Sequence, residues 1–137
     1  MTAHVLVPVD SSGAAWKALQ YAFTQHEGEN ITVLHVVDPL DSASRPNDPR
    51  DDPQKRGQKV EAQARRLFRE AELTETAFDV LIREGKPVHN IVQFAEETDV
   101  DQIVIGSRGL SETDKLLIGS VADAVVRRAS VPVNVIR

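Results

Sequence analysis

Short runs of β-branched and aliphatic residues alternate with longer amphipathic stretches along the chain, and this alternation predicts five strands separated by helices. The runs that we predict to be strands are residues 4–10, 31–37, 78–82, 102–105 and 131–136. The second and fourth runs are almost entirely apolar, which is typical of strands covered on both faces of a parallel sheet.

The stretches between the strands carry apolar residues at helical spacing. The first predicted helix follows Ser12, the second begins at Asp52-Pro53 with a capping residue and a first-turn proline, the third opens at Pro87, and the fourth begins near Ser120. Gly57 disfavours a helix, so we expect the first turns of the second helix to fray. The residues predicted to face inward are Ala15, Ala18, Leu19, Ala22 and Phe23, then Val60, Ala64, Leu67, Phe68 and Ala71, then Val88, Ile91, Val92 and Ala95, and finally Val121, Ala124, Val125 and Ala129.

Strands that alternate with helices in this way predict right-handed crossovers and a doubly wound (Rossmann-like) α/β fold, with helices on both faces of a mostly parallel sheet. One segment does not fit the alternation of strands and helices. Residues 38–53 contain four prolines and five aspartates, and we expect a flexible loop there. The whole chain, residues 1–137, is expected to form a single domain.

Composition narrows the classes of function. The chain of 137 residues has no cysteine, which rules out disulfides, thiol catalysis and thiolate metal sites. Its net charge of −5 opposes non-specific binding to nucleic acid. The N-terminal residues do not resemble a signal peptide and no apolar run is long enough to cross a membrane, so we expect a cytoplasmic protein.

A glycine-bearing stretch follows the fourth predicted strand. Gly106 comes directly after that strand, Gly109 follows two residues later, and Gly119 and Ser120 stand at the start of the last helix. Glycines permit close approach of the backbone to a ligand, and a helix start attracts anions. In a doubly wound sheet, ligands bind at the carboxyl ends of the strands, which would place Asp10 beside this stretch.

The residues alone leave two interpretations of this stretch open. Arg108 and Lys115 could supply positive charge to a bound phosphate chain, and Ser120 could both cap the helix and donate a hydroxyl to it. Alternatively, the glycines mark turns in a loop that binds nothing. Neither a Walker-type loop nor a G-x-G-x-x-G pattern is present.

The spacing Gly106-x2-Gly109-x9-Gly119-Ser120 resembles the nucleotide-binding signature of the universal stress protein family. The resemblance extends to residues 5–10, 34–38 and 131–137, which look like the first, second and terminal strands of that family. It implies a sheet ordered 3-2-1-4-5, a homodimer, and membership of the branch that binds ATP or AMP.

The resemblance also implies roles for individual positions in binding ATP, ADP or AMP, with any Mg²⁺ held by the phosphates rather than by a protein metal site. Ala122 departs from the pattern because that branch often has a hydroxyl residue there, so one phosphate hydrogen bond is expected to be missing. The positions carried over are Pro8, Val9 and Asp10 for the adenine and ribose side, Val36 for the adenine, Ile105 and Gly106 for the ribose, and Gly109, Gly119, Ser120, Val121 and Ala122 for the phosphates. Arg108 is added to the predicted ATP-binding residues because of its charge and its place in the stretch.

The last predicted strand carries alternating valines, Val131, Val133 and Val135, and an edge strand of this kind invites pairing with a second chain. We therefore expect a two-fold dimer through this strand, as the resemblance also implies. The alternative is a monomer whose edge is protected by Pro132 and Arg137.

Three functions are compatible with these features. The first is a regulatory nucleotide-binding protein of the stress response, with an unidentified protein partner. The second is a slow ATP hydrolase or adenylyl-transfer enzyme, for which Asp10 and Glu84 are possible bases, although no Walker-type lysine is present. The third is a dimeric adaptor without nucleotide.

Asp10 could also cap the first helix, and His35, in the middle of an apolar run, is expected to be a hydrogen-bonded core residue.

Overall fold

A computed structural model describes residues 2–10, 12–38, 52–107 and 118–137 of the chain. Five parallel strands form one sheet in the order β3-β2-β1-β4-β5, as expected. The strands are β1 (His4–Pro8), β2 (Asn30–Val37), β3 (Ala77–Glu84), β4 (Gln102–Gly106) and β5 (Val133–Ile136). The strand order reverses between β1 and β4, where Leu6 pairs with Ile103.

Four helices within the described residues connect these strands, and they are α1 (Gly13–Gln25), α2 (Pro53–Ala71), α3 (Pro87–Glu97) and α4 (Ser120–Arg128). Helices α1 and α2 start where the capping residues predict. The side chain of Ser12 accepts a hydrogen bond from the N–H of Ala15, and that of Asp52 accepts one from the N–H of Gln54. Residues 39–51 of the predicted loop lie outside the described residues.

The sheet is covered by one hydrophobic core on each face. On one face, Val5, Val7 and Val33 of the strands pack with α1 and α2. On the other face, Leu6, Leu34 and Ile103 pack with α3 and α4. Neighbouring residues of β1 thus alternate between the two cores while all remaining buried, which explains the continuous apolar runs of the central strands.

Gly57 does not fray α2, contrary to expectation. The helix is regular from Pro53, and Gly57 is buried against the sheet. A β-carbon at this position would lie 3.4 Å from Cγ2 of Ile82 and 3.9 Å from Cδ2 of His35. At Gly57 the backbone of α2 therefore packs closely against side chains of β2 and β3.

The inward face of α4 was predicted incorrectly in part. Ala122 and Val125 are buried, whereas Val121 is 36 % exposed and Ala124 is only partly buried. Apolar residues occupy most positions of this nine-residue helix, so the sequence pattern does not define its rotation. In α3 the pattern missed Phe94, which is buried beside Ile91 and Ala95.

No helix in the described ranges is long and apolar enough to cross a membrane.

Candidate nucleotide site

The carboxyl ends of β1 and β4 lie side by side at the point where the strand order reverses. Asp10 follows β1 and Ser107 follows β4, so both residues stand at the edge of the sheet where ligands bind in this class of fold. Asp10 is partly exposed and Ser107 is buried. The sequence-based placement of Asp10 near the glycine-bearing stretch agrees with this geometry.

A backbone hydrogen bond joins the two described ends of that stretch. The N–H of Gly119 donates to the carbonyl oxygen of Ser107. The N–H of Ser107 in turn donates to the carbonyl oxygen of Ile136 at 2.8 Å. The start of α4 is thereby held at the carboxyl end of β4, at the edge of the sheet where Asp10 also lies.

The residue that caps α4 is Gly119, so the expectation that Ser120 caps the helix was wrong. Ser120 is the first helical residue, and Gly119 has no side chain with which to occupy the N–H groups of the first turn. The first backbone bond into the helix runs from the N–H of Asp123 to the carbonyl oxygen of Gly119 at 2.9 Å. The N–H groups of Val121 and Ala122 precede it and have no intrahelical acceptor, which is the arrangement of an anion-binding helix start.

Gly106 and Gly119 are glycines for different reasons. A β-carbon on Gly106 would lie 2.6 Å from the carbonyl carbon of Ala14 and 2.9 Å from the N of Ala15. Close packing of β4 on the first turn of α1 therefore requires Gly106, with or without a ligand. The backbone of Gly119 is extended at φ −62° and ψ 156°, a conformation open to any residue, so backbone conformation does not require a glycine there.

Asp10 is held in place by the turn that leads into α1. Its Oδ1 accepts a hydrogen bond from the N–H of Ser12 at 3.0 Å, while Ser12 itself provides the helix cap. Asp10 therefore stabilises the turn that precedes α1, although it is not the N-cap of that helix.

His35 fixes the backbone immediately before Asp10. Its Nδ1 donates to the carbonyl oxygen of Val9 at 2.8 Å, and its side chain is buried, as expected for a core histidine. The N–H of Val9 donates to the carbonyl oxygen of Leu34 at 3.0 Å. Because both polar backbone groups of Val9 are engaged within the protein, Val9 is suited to positioning Asp10.

Several of the residues implied by the resemblance have buried side chains. Ala122 is 3 % exposed and its methyl group packs in the core beneath α4, so its side chain offers no polar contact. Pro8 and Ile105 are also buried, and neither side chain carries a polar group. Val36 is partly exposed at the end of β2.

The first turn of α4 contains one carboxylate, which would repel an anion. The Oδ2 of Asp123 accepts a hydrogen bond from Nε of Arg127 at 3.0 Å, and this ion pair offsets the negative charge. Arg108, Gly109 and Lys115 lie outside the described residues. In the part of the chain that the structure describes, no group of three histidine or acidic side chains could hold a metal ion.

Sequence reasoning missed the contributions of Ser107 and of His35 to this edge. Ser107 contributes main-chain hydrogen bonds, and nearly any residue type can form these, so the identity of the residue does not predict them. The presence of a histidine in an otherwise apolar strand was a usable signal, because a buried imidazole requires a hydrogen-bond partner.

Comparison with known proteins connects this geometry to a family. The family model described as "Universal stress protein family" matches residues 1–137. A universal stress protein of Thermus aquaticus is 31 % identical over 145 residues, covering 97 % of this chain and 97 % of the relative.

Solved structures agree over the whole length. The structure of MJ0577, which is a universal stress protein of Methanocaldococcus jannaschii, superposes with a TM-score of 0.80 at 29 % identity, covering 99 % of this chain and 96 % of that one. The universal stress protein of Archaeoglobus fulgidus in complex with dAMP superposes with a TM-score of 0.67 at 26 % identity, covering 100 % and 98 %.

Proposed function

The chain belongs to the universal stress protein family, and we propose that it binds ATP, or AMP or ADP, as a regulatory protein of the stress response. The observation that supports the proposal is the hydrogen bond from Gly119 to Ser107, which holds the start of α4 at the carboxyl end of β4, the edge at which doubly wound sheets bind their ligands. The dAMP complex of the relative from Archaeoglobus fulgidus supports an adenine nucleotide as the ligand.

The phosphates are proposed to lie at the start of α4. A helix dipole alone stabilises an anion by about 0.3–1 kcal/mol at an exposed site, so useful affinity requires several N–H groups and a cation. The N–H groups of Val121 and Ala122 supply the first of these, Ser120 adds a hydroxyl, and Arg108 is proposed as the cation. Gly109 and Gly119 are proposed to let the backbone approach the phosphates, and Mg²⁺, where bound, is held by the phosphates.

The nucleoside is proposed to lie across the carboxyl ends of β1 and β2. There Val36 offers its backbone to the adenine and Asp10 accepts a hydrogen bond from the ribose. The bonds from Ser12 to Asp10 and from His35 to Val9 support this assignment, because they hold the Asp10 carboxylate in one orientation before any ligand binds.

A homodimer through β5 is the second part of the proposal. The supporting observation is that β5 is an edge strand on which Val133 and Val135 remain only partly buried, next to Val131. Light scattering is expected to give a mass of at least two chains, and pairing through β5 is expected to bury the remaining surface of these valines.

Thermal unfolding with and without MgATP tests the binding proposal. At a free concentration one hundred times the dissociation constant, a ligand that binds the native state stabilises it by about 2.7 kcal/mol. We expect the melting temperature to rise with MgATP and not with MgGTP at the same concentration. An unchanged melting temperature up to millimolar ATP would overturn the proposal and favour a nucleotide-free adaptor.

A further inference from the structure

Strand β3 forms the edge of the sheet opposite β5. It spans Ala77–Glu84 and pairs with β2 along its whole length, while no strand in the described ranges covers its outer side. Eight residues of edge strand expose a row of backbone donors and acceptors that another strand can use.

The orientation of these backbone groups follows from one hydrogen bond at the end of the strand. The N–H of Gly85 donates to the carbonyl oxygen of Val37 in β2 at 2.9 Å. Because backbone direction alternates along a strand, the odd-numbered residues of β3 bond to β2 and the even-numbered ones point their N–H and C=O groups outward. Val80 and Ile82 are therefore the central hydrogen-bonding positions of the free edge.

The side chains of β3 form a self-complementary pattern about Leu81. Asp79 lies two residues before Leu81 and Arg83 two residues after it, on the same face of the sheet. We propose that β3 pairs antiparallel with β3 of a second copy of this chain, with the two Leu81 residues opposite each other. In this register Asp79 of each copy faces Arg83 of the other, and the outward backbone groups of Val80 meet those of Ile82.

The opposite face of the strand supports the same register. Ile82 is 39 % exposed although it is a large apolar residue. Pairing would place Ile82 beside the apolar, buried Val80 of the second copy. The exposed surface of Ile82 would thereby be covered. An open cleft of about 330 Å³ lies next to Ile82 on the α2 side, lined by Gly57, Gln58 and Glu61 among others, and it leaves room for the incoming edge.

Arg83 is already oriented for this contact. Its guanidinium carbon lies 5.0 Å from the centre of the Phe94 ring, which holds the charge on the face that carries Asp79. Asp79 is exposed and has no ion-pair partner among the residues that the structure describes. Arg83 and Asp79 lie at equal distances from Leu81 on either side of it. Antiparallel pairing with an identical strand therefore forms two Asp79–Arg83 ion pairs, which favours a second copy as the occupant.

This contact is independent of nucleotide binding and of the proposed β5 dimer, because it uses the other edge of the sheet. Charge reversal provides a test by light scattering or sedimentation. R83D and D79R are each expected to weaken the β3 association roughly tenfold or more, since both ionic pairs change from attraction to repulsion. R66D makes the same change of charge at an exposed residue of α2 that does not line the cleft, and it is expected to leave the association unchanged.

Mixing the two single variants sharpens the test. R83D presents two acidic residues and D79R presents two basic residues, so the mixture is expected to form β3 contacts between R83D and D79R copies even though neither variant forms the β3 contact alone. Self-association of either variant alone through β3 at wild-type strength would overturn the proposal. A mixture in which the two variants do not associate with each other would overturn it as well. Far-UV circular dichroism establishes that each variant is folded.

Cross-linking reports the register directly. The chain contains no cysteine, so a disulfide in the variant L81C joins two copies. Residues opposite each other in a non-hydrogen-bonded pair have Cα atoms about 4.5 Å apart, within the range of about 4.4–6.8 Å that a disulfide spans. L81C is expected to cross-link under mild oxidation and D79C is not. Cross-linking of D79C as fast as L81C would contradict this register.

Discussion

Gly106 at the end of β4 and Ala14 in the first turn of α1 are packed backbone against backbone. A β-carbon on Gly106 would lie 2.6 Å from both the carbonyl carbon and the carbonyl oxygen of Ala14. The close approach joins the strand that precedes the glycine-bearing stretch to the helix that follows Asp10. The two parts of the proposed site are thereby fixed relative to each other by the fold.

Gly106→Ala is expected to lower the free energy of unfolding by about 1–3 kcal/mol, because the added methyl group meets backbone atoms that cannot move aside without shifting α1. Urea denaturation measures the loss. Gly13→Ala is the matched control: a β-carbon there meets no atom within 4 Å, so stability is expected to be unchanged or slightly higher. Equal stability of the Gly106 variant and the wild type would show that the packing is looser than described.

Asp10→Ala is expected to weaken ATP binding about 10- to 100-fold, since a hydrogen bond to a charged group contributes about 1.5–3 kcal/mol. Asp10→Asn keeps an oxygen acceptor for the N–H of Ser12 and is expected to bind ATP more tightly than Asp10→Ala. Isothermal titration calorimetry of both variants makes the comparison. Identical affinities for the wild type and Asp10→Ala would remove Asp10 from the site.

His35→Leu is expected to destabilise the protein by about 1–3 kcal/mol, because the carbonyl oxygen of Val9 loses its donor in a buried position. The affinity for ATP is expected to fall as well, as Asp10 loses its support. His35→Gln retains a side-chain N–H and is expected to recover part of both quantities. Chemical denaturation and calorimetry on the same preparations separate the two effects, and a fully stable His35→Leu protein would contradict the assigned hydrogen bond.

Gly57→Ala is expected to stabilise the protein by up to about 1 kcal/mol. A β-carbon at Gly57 would lie 3.4 Å from Cγ2 of Ile82, which is within ordinary contact, and alanine is the better helix former. Thermal unfolding of the variant measures the gain. A lower melting temperature would mean that α2 packs against β3 too closely to admit a methyl group.

The alternation of apolar runs and amphipathic stretches was sufficient to predict five strands, the main helices and their parallel arrangement, because each element has its own period. The strand order came from the family resemblance. The rotation of α4 could not be read from its sequence, since apolar residues at positions 121, 122, 124, 125 and 126 surround most of the helix.

Within the candidate site, the sequence identified residue types and missed backbone contacts. Gly106, Gly119 and Asp10 were singled out correctly as residues at one edge of the sheet. The cap at Gly119 instead of Ser120 could not be predicted, because it depends on the hydrogen bond to Ser107, which involves main-chain atoms only. The same holds for the support that His35 gives to Val9, which needs the strands to be paired before the two residues meet.

Calorimetric titration of ATP into the wild-type protein and into Gly109→Val tests the central proposal most directly. The valine side chain is expected to block the approach of the phosphates, so the wild type should bind ATP and the variant should show at least a tenfold loss of affinity while retaining its circular dichroism spectrum. Equal binding of ATP by both proteins, or no heat of binding from the wild type, would contradict a nucleotide site at the start of α4.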